Sequence, residues 1–569
     1  PLDDRATFDL MCAGGTAGVF QLETRGITEL VKRVKPDKVE DITAVIALFR
    51  PGPLGSKMDD EFVAVKHGQK KASYALPELR PILQDTYGTI LYQEQIMLIA
   101  QNLAGFTLGS ADLLRRAMGK KDPAALAAQR APFLDGMLAR GFDPKKSEEL
   151  FEKMAFFAEY GFNKSHSAAY AYVTYRMAYL KTHYPTDFLC AVLTAEKGDR
   201  NKVMRFIKEA RDMGIPVLPP DVNHSVADFT VQDAVGTDGR RQGAIRFGLA
   251  AVKGIGESAV EAIVAARREK PFLDVPDFLA RIDLRRINKR VIEALIHCGA
   301  MDRFGHTRAA LATHLDMLIA AANTRRAELE SGQMGLFDLE PKAAPTVALP
   351  DVPEWPDAER LAREYEAIGY YLSGHPLDRF AEELRASAVD DIAELAHKPA
   401  GQRVRIACVI VEKQDKATKA NTGRIAILTA EDTTGQVQCF VNQKAYPQWA
   451  AVADLNEPLL IHAQVQFEGD DDTLRLGVNG IERLDAARRS LAKVLVLRMD
   501  VGRVDLQAAR RVLDLLLARP GHSPIEFRMR LPGVGTMELR ASGDRGVEAD
   551  RALIGELAAI LGEDAVLLE

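Results

Sequence analysis

Apolar residues recur at helical spacing through the first third of the chain. The stretch Gln93–Leu103 is dense in helix-forming residues, and its apolar side chains stand at 96, 97, 99, 100 and 103, an amphipathic spacing. Two stretches rich in proline, glycine or both, 50–53 and 118–123, predict loops. We therefore expect mainly helical structure over residues 1–195. Residues 196–325 also favour helices, around a compact turn at 253–256.

The pattern changes twice further along. Residues 327–360 hold eight acids, two bases and five prolines, which predicts an acidic, extended linker. Helical spacing resumes at Arg360–Tyr371. From Arg403 to Leu484, apolar and polar positions alternate in about five short segments separated by turn residues, which predicts a small β-barrel. Residues 492–569 return to mixed strand and helix.

These patterns predict a multidomain chain. The fold class is mainly α-helical at first, then a five-stranded β-barrel, then a small α/β C-terminal domain. The expected boundaries are 1–195, 196–325, 326–401, 402–485 and 486–569.

Composition and the order of apolar residues argue against a membrane protein and against a secreted protein. Apolar residues make up 47% and charged residues 27%, a globular balance. No apolar run approaches the roughly 18 residues of a membrane span, and no secretory signal leads the chain, so we expect a cytoplasmic protein without membrane contact. The chain opens on Pro1 and a turn-like acidic stretch, as would the middle of a longer protein.

Net charge and the spacing of the cysteines bear on two kinds of binding, that of nucleic acid and that of zinc. The net charge is −6, so any binding of nucleic acid would need local basic patches. The five cysteines are far apart and form no CxxC pair, which argues against zinc and suits a reducing cytoplasm. They stand at positions 12, 190, 298, 408 and 439.

The first candidate site is the basic stretch 113–121. Arg115, Arg116, Lys120 and Lys121 lie there with a glycine at a predicted helix end. Arginine binds phosphate oxygens through paired donors and lysine acts as a point charge, so this cluster could hold a triphosphate or a backbone phosphate. The alternative is a solvated cationic helix end that complements its dipole.

The second candidate is the stretch 160–170. Asn163 or Ser165 could cap the helix that follows, which would put Lys164 and His166 near a helix N-terminus, where anions bind well. The tyrosines at 170, 172 and 175 could stack on a base. The alternative is a capped helix with a mixed aromatic face.

The third candidate is the turn Lys253-Gly254-Ile255-Gly256. Glycines on either side of an apolar residue, between helical patterns, predict a helix-hairpin-helix turn whose free amides can take a DNA phosphate whatever the base sequence. A basic stretch follows at 281–290, with Arg285 and Arg286 as candidate DNA-binding residues.

The fourth candidate lies in the acidic linker, at Gln333–Asp338. A Leu-Phe pair in a solvated segment needs a partner to bury it, so Gln333, Leu336 and Phe337 could dock into an apolar groove. The alternative is a linker that folds back on its own core. GxxxxGK[ST], HExxH and GxSxG motifs are absent from the sequence. The acids at 59–61 favour a helix start and those at 470–472 a hairpin turn, so neither predicts a metal site.

The order of the motifs resembles the large (alpha) subunit of bacterial DNA polymerase III, a C-family replicase. The resemblance covers nearly the whole chain and thins after about residue 490. The stretches that carry it are Val19–Glu23, Phe49–Leu54, Ile90–Gln95, Arg115–Lys121, Gly161–Ala168, Leu218–Asn223 and Tyr371–Pro376.

The resemblance implies fingers at 1–195, with the basic cluster near the incoming dNTP. It implies a duplex-binding module at 196–325, an internal sliding-clamp (beta) motif at 333–338, an OB domain that meets single-stranded template at 402–485, and a domain at 486–569 that contacts the clamp-loader tau subunit. A proofreading exonuclease subunit would bind the N-terminal part of such a polymerase.

The family's catalysis uses palm aspartates that hold two Mg²⁺ ions. Their PDxDxD pattern is not found in this sequence, so we expect a C-terminal fragment without the palm, with no catalytic or metal-binding residues and inactive alone. The main alternative is a self-standing, non-enzymatic DNA-binding and clamp-tethering protein, which reading the gene upstream of Pro1 would distinguish. An enzyme like a tRNA synthetase is disfavoured because HIGH, KMSKS and an ATP-binding signature are absent.

Overall fold

The computed structural model divides the chain into two compact units. One unit holds residues 1–218 and 224–251, and the other holds 219–223 and 252–569. The structure describes all residues except 120–122, 159–160, 236–240, 332–348, 388, 418–422, 453–456, 469–472, 492–493, 503, 522, 532–534, 542–545, 563–564 and 569.

The first unit is mainly helical, as its apolar spacing predicts. Its elements are α1 (Arg5–Cys12), α2 (Arg25–Val34), α3 (Val39–Leu48), α4 (Pro51–Gly55), α5 (Met58–Lys66), α6 (Arg80–Leu83), α7 (Gln93–Ala104), α8 (Leu108–Gly119), α9 (Pro123–Ala139), α10 (Pro144–Ala158), α11 (Lys164–His183), α12 (Pro185–Ala195), α13 (Arg200–Asp212), β1 (Val217–Leu218), β2 (Thr230–Val235) and β3 (Arg241–Arg246).

Two apolar cores lie in the described part of this unit. The first gathers α1, α2, α3 and α11, and α3 is buried along almost its whole length. The second gathers α7, α8, α9 and α10 around Phe133 and Met154. Gly136 on α9 allows the closest approach there, because an added Cβ would lie 2.0 Å from the carbonyl oxygen of Ala104.

Two local expectations in this unit are wrong. Residues 50–53 are not a loop throughout, because α4 begins at Pro51, where proline's fixed φ suits the first turn of a helix. The region after residue 196 is not wholly helical, since β1, β3 and β2 form a three-stranded sheet in that order. These strands have two to six residues, so their alternation is too short to stand out in the sequence.

The second unit begins with helices and continues with β-structure. Its elements are α14 (Glu257–Ala266), α15 (Val275–Arg281), α16 (Lys289–His297), α17 (Arg308–Thr313), α18 (Leu315–Ser331), α19 (Asp357–Ile368), α20 (Ala381–Ala386), β4 (Arg403–Ala417), β5 (Arg424–Glu431), β6 (Gln436–Val441), α21 (Tyr446–Val452), β7 (Leu459–Glu468), β8 (Thr473–Arg483), α22 (Leu484–Leu491), β9 (Leu495–Asp500), α23 (Leu506–Ala518), β10 (Pro520–Gly521), β11 (Ser523–Leu531), β12 (Gly535–Arg540), β13 (Gly546–Val547), α24 (Arg551–Leu561) and β14 (Val566–Leu568).

The predicted barrel is confirmed. Strands β4-β5-β6-β8-β7 close on themselves in that order, with β6 and β8 parallel and α21 between β6 and β7 along the chain. Alternate residues such as Ile406, Cys408 and Cys439 fill the interior. Order and connection are those of an OB-type barrel.

The C-terminal α/β domain is also confirmed. Strands β10-β13-β11-β9-β14 lie side by side, and β12 pairs with β11. Helices α23 and α24 cover this sheet through a small core that includes Leu497, Val512 and Leu557. Among the described residues, no helix is long and apolar enough to cross a membrane.

Candidate phosphate and nucleic-acid interface

In the first unit, α7 and α11 begin side by side. Tyr92 and Phe162 form a parallel β-bridge one residue before α7 and two before α11. The amide of Gln93 donates to the carbonyl of Phe162 at 2.9 Å, and the amide of Phe162 donates to Leu91 at 3.1 Å. Two helix N-termini that are 71 residues apart in sequence, Gln93 and Lys164, are thereby fixed next to each other.

The start of α11 is capped by one of the two residues that the sequence offered as caps, Asn163 and Ser165. The side chain of Asn163, not Ser165, caps the helix, and its Oδ1 accepts from the amide of His166 at 2.8 Å. Lys164 and His166 are exposed in the first turn. A carboxylate already meets this turn, since Glu94 Oε2 accepts from the amide of Lys164 at 2.9 Å. An incoming anion would therefore meet the side chains of Lys164 and His166 first.

Arg115 on α8 is brought to the same place. Arg115 donates from Nη1 to Gln93 Oε1 at 3.1 Å and from Nε to Asp112 Oδ1 at 2.9 Å. Arg116 donates from Nε to the other oxygen of Asp112 at 2.7 Å, and 63% of its side chain is exposed. The hydrogen bond from Arg115, together with the positive charge of both arginines, lowers the pKa of Asp112. Lys120 and Lys121 lie outside the described residues.

A further cation, Arg50, belongs to this site and was missed in the sequence. Its guanidinium lies 4.5 Å from the ring centre of Phe162, and its Nε donates to the carbonyl of Ala47. Burial lowers its pKa. The residue stands alone before a Pro-Gly-Pro stretch, so no local cluster marks it.

The aromatic residues at and after the start of α11 differ in their exposure to solvent. His166 lies between Phe162 and Tyr170, with ring centres 5.6 and 4.5 Å away, and Tyr172 is exposed. Tyr175 cannot stack on a base, contrary to expectation. It is 1% exposed, and its hydroxyl bonds the backbone of the N-terminal segment.

In the second unit, the glycine-flanked turn precedes α14. Gly254 has a φ of +85°, which favours glycine, and Gly256 is the N-cap of α14. Both are exposed, and an added Cβ would meet nothing within 4 Å at either position. The amide of Lys253 donates to Ala367 at 2.8 Å, which fixes the turn to the end of α19. Within the described residues, the amides of Gly254 and Gly256 have no backbone partner.

A second turn, 282–288, joins α15 to α16 and exposes Arg285 and Arg286. Asn288 caps α16 by accepting from the amide of Val291. Arg281, at the end of α15, has a structural role instead. It donates to Asp277 and to backbone carbonyls and lies over the ring of Phe272. Arg285 and Arg286 are thus the cations of this stretch that an exposed turn offers to a ligand.

The predicted clamp motif, with Gln333, Leu336 and Phe337, lies outside the described residues. The chain after it is firmly attached to α17. Thr307 Oγ1 donates to the carbonyl of Val352 at 2.8 Å. The carboxylate of Glu354 accepts from the amides of Arg308 and Ala309, the first residues of α17.

On the barrel, cations lie over aromatic rings at two places. The guanidinium of Arg475 is 5.0 Å from the ring centre of Phe440, and that of Arg424 is 5.8 Å from Tyr446. The described residues contain no group of three or more His, Cys, Asp or Glu side chains that could hold a metal ion. The acids at 59–61 lie in the first turn of α5, as expected. Those at 59 and 60 also pair with Arg33.

Comparison with known proteins agrees with this geometry. Residues 1–141 match the family model of the bacterial DNA polymerase III alpha subunit finger domain, and residues 214–311 match that of a helix-hairpin-helix motif. A polymerase finger domain followed by a helix-hairpin-helix motif defines the class of protein.

Full-length relatives narrow the class to a family. The chain is 40% identical over 578 residues to DNA polymerase III subunit alpha of Vibrio cholerae, and 36% identical over 580 residues to that of Escherichia coli K12. Each match covers all of this chain and 49% of the relative. The chain belongs to the family of the bacterial DNA polymerase III alpha subunit, and it spans about half the length of the curated relatives that it matches.

Proposed function

We propose that this chain binds nucleotide and DNA for a bacterial replicative DNA polymerase, in which the whole enzyme performs template-directed DNA synthesis. The observation that carries the proposal is the hydrogen bond from Arg115 to Gln93, which brings this part of α8 to the adjacent starts of α7 and α11, with Arg116 next to Arg115 in the sequence. Part of that cluster lies in the stretch that matches the finger model. Similarity to alpha subunits over the whole chain supports the same function.

The incoming dNTP would meet this cluster with its triphosphate. Arg116 is the best placed to bind phosphate oxygens, because its Nε is held by Asp112 while most of its side chain faces solvent. Lys164 and His166 would add charge at the N-terminus of α11. Lys120 and Lys121 follow Arg116 in the same basic stretch and are proposed to act with it.

Metal-dependent chemistry is assigned to the part of the polymerase that this chain does not span. Nucleotide addition in the family uses Mg²⁺. The described acidic clusters do not fit that role, since Asp59 and Asp60 are engaged by Arg33. We therefore derive no catalytic step from residues of this chain, and we assign to it the binding and orientation of substrate.

DNA would be held at two further places. The open turn with Lys253, Gly254 and Gly256 would accept a backbone phosphate of the primer-template duplex, aided by Arg285 and Arg286. The match to a helix-hairpin-helix motif supports this assignment. The barrel, with its cation-aromatic pairs, would hold single-stranded template.

Partners and boundaries complete the proposal. Residues 1–195 act as fingers, 196–325 as the duplex-binding module, 326–401 as the linker with the clamp motif, 402–485 as the OB domain and 486–569 as the tau-binding domain. The sliding clamp (beta) would bind at 333–338, and the proofreading exonuclease would bind elsewhere on the polymerase. The site of action is the bacterial cytoplasm.

The test is Arg116→Ala in the polymerase that contains this chain. Loss of a charge-assisted contact of about 1.5–3 kcal/mol should lower kcat/KM for dNTP roughly 10- to 150-fold. Steady-state incorporation on a primed template with Mg²⁺ measures the effect. Arg130→Ala is the matched control, because Arg130 pairs with Glu148 on α10.

Two outcomes would contradict the proposal. If Arg116→Ala leaves both kcat and KM for dNTP unchanged, the cluster is a solvated helix end. If the 569-residue chain alone extends a primer in a clean preparation, the assignment of the chemistry to the rest of the polymerase is wrong.

A further inference from the structure

The side-chain amide of Gln93 has two partners of opposite kinds. Its Oε1 accepts from Arg115 Nη1 at 3.1 Å, and its Nε2 donates to the carbonyl of Gly161 at 3.1 Å. The residue's backbone amide also donates to Phe162 at 2.9 Å. One residue thus links α8 with the segment that leads into α11.

These contacts fix the amide in one orientation. An arginine only donates and a carbonyl only accepts, so the oxygen must face Arg115 and the nitrogen must face Gly161. Glutamate at this position would keep the acceptor for Arg115 but would partly neutralise its charge. It would also face the Gly161 carbonyl with a second acceptor.

Arg115 is held on two sides as a result. Asp112 binds Nε and Gln93 binds Nη1, while 31% of the side chain stays exposed. Neither of these two contacts uses Nη2. A guanidinium already fixed in place loses little rotamer freedom when it binds an anion.

We propose that Gln93 is a positioning residue for the nucleotide: it fixes the Arg115 guanidinium relative to the N-terminus of α11, so that both contact one triphosphate. This inference rests on the proposed function. The two groups are far apart in sequence, and the Gln93 amide is a direct link between them.

The test is a double-mutant cycle in the polymerase that contains this chain. Gln93→Met keeps the length and the apolar part of the side chain and removes both hydrogen bonds. We expect KM for dNTP to rise about 3- to 30-fold with kcat nearly unchanged, because Arg115 without its Gln93 partner keeps only part of a charge-assisted contact with the nucleotide. In an Arg115→Ala background the same change should have almost no further effect.

Two controls separate positioning from general stability. Asn102→Ala removes an exposed amide from the same helix and should leave KM unchanged. Gln93→Glu keeps a partner for Arg115, so the fold is retained, and it should still raise KM because Arg115 is partly neutralised. The melting temperature of each variant should stay within about 2 °C of the wild type.

The possible failures are distinguishable. If Gln93→Met and Arg115→Ala have additive effects, or Gln93→Glu leaves KM unchanged, Gln93 does not act through Arg115 and the inference is wrong. If Gln93→Met is silent while Arg116→Ala weakens dNTP use, only this inference fails. If Arg115→Ala and Arg116→Ala are both silent, the proposed function fails with it.

Discussion

At the residue scale, Arg308 joins several segments of the second unit. Its guanidinium binds Glu364 Oε2 at 2.9 Å, both oxygens of Asp302 and the carbonyl of His297. The Glu364 side chain is 1% exposed, and its other oxygen accepts from the amides of Leu372 and Ser373. The hydrogen bonds and charges of Asp302 and Glu364 outweigh burial and raise the pKa of Arg308, so the cation stays charged inside the protein.

We expect Arg308→Ala to lower the free energy of unfolding of this helical region by about 3–5 kcal/mol, because it leaves a buried carboxylate without its cation. Urea unfolding followed by fluorescence of Trp355 measures the loss, with Trp449→Phe as background, since the chain has two tryptophans. Arg308→Met combined with Glu364→Gln should recover a large part of it. Equal loss in the single and double variants would contradict this account.

At the scale of elements, a substitution in the turn before α14 should affect DNA binding without affecting stability. Gly256→Val should leave the melting temperature almost unchanged, because nothing lies within 4 Å of the added Cβ and φ at this position is −83°. Its side chain would nevertheless lie beside the amides to which we propose that a backbone phosphate binds.

We therefore expect Gly256→Val to weaken duplex binding equally for all sequences, since contacts between amides and phosphates carry no base information. Fluorescence anisotropy with two duplexes of unrelated sequence measures the change. Gly198→Val, at another exposed glycine with open space, is the control. A loss confined to one of the two duplexes would show base-specific contact and reject the assignment.

A second element-scale feature is a buried acid of the barrel beside a half-buried histidine from the segment before it. Glu431, at the end of β5, lies 3.9 Å from His375 Nε2. Burial raises the pKa of Glu431 to about 7 and lowers that of His375 to about 4. The charge of Asp432 raises the pKa of Glu431 further. The charges of Asp378 and Asp432 oppose the lowering of the His375 pKa.

The two shifts predict opposite pH dependences. Glu431 contributes stability that is fully present below its ordinary pKa of 4.5 and is lost as pH rises through about 7. His375 contributes stability that is present above its ordinary pKa of 6.5 and is lost as pH falls through about 4. Between about pH 4 and pH 7 the two contributions therefore change in opposite directions, and the wild-type profile is flatter than either contribution alone.

Glu431→Gln should remove the loss on the alkaline side. Between pH 5.5 and pH 8 the wild-type barrel should lose about 2 kcal/mol from this group, and the variant should not. Fluorescence of Trp449 in a Trp355→Phe background reports the unfolding of the barrel. Glu412→Gln, at an exposed position on β4, is the control. Parallel pH profiles for Glu431→Gln and the wild type would refute the prediction.

At the scale of the whole molecule, the two compact units each carry binding features of the proposed polymerase. The phosphate cluster belongs to the first unit, and the hairpin turn and barrel belong to the second. The chain on either side of the predicted clamp motif is anchored within the second unit. Upstream, Arg326 on α18 donates to a carbonyl of the α15 end, and downstream Glu354 binds the start of α17.

Leu336→Ala with Phe337→Ala should abolish binding to the sliding clamp. Burying both side chains in a groove gives roughly 3–6 kcal/mol of gross apolar stabilisation, reduced by the cost of ordering the peptide. The melting temperature should stay nearly constant, because this acidic stretch supplies few apolar residues to a core. Surface plasmon resonance with immobilised clamp measures binding, and Leu339→Ala, just outside the motif, is the control. A variant that melts several degrees lower and still binds the clamp would place these side chains in the internal core.

Local chemistry in the sequence determined where some helices begin and where the strands of the barrel lie. Asn163 and Asn288 cap helices because their side chains reach the free amides of the first turn. Alternating apolar residues define the barrel because side chains in a strand point to opposite faces. Both rules operate over a few residues, so both could be applied without the fold.

Only the tertiary structure decided which distant residues meet. Arg115 reaches Gln93 across 22 positions, and Gln93 reaches Gly161 across 68. Arg50 lies over Phe162, and Tyr175 is buried in the core. The residues next to each of them in the sequence predicted neither contact. The physical reason is that such contacts depend on how the apolar faces of whole helices pack together, a quantity summed over the chain that no short window of sequence contains.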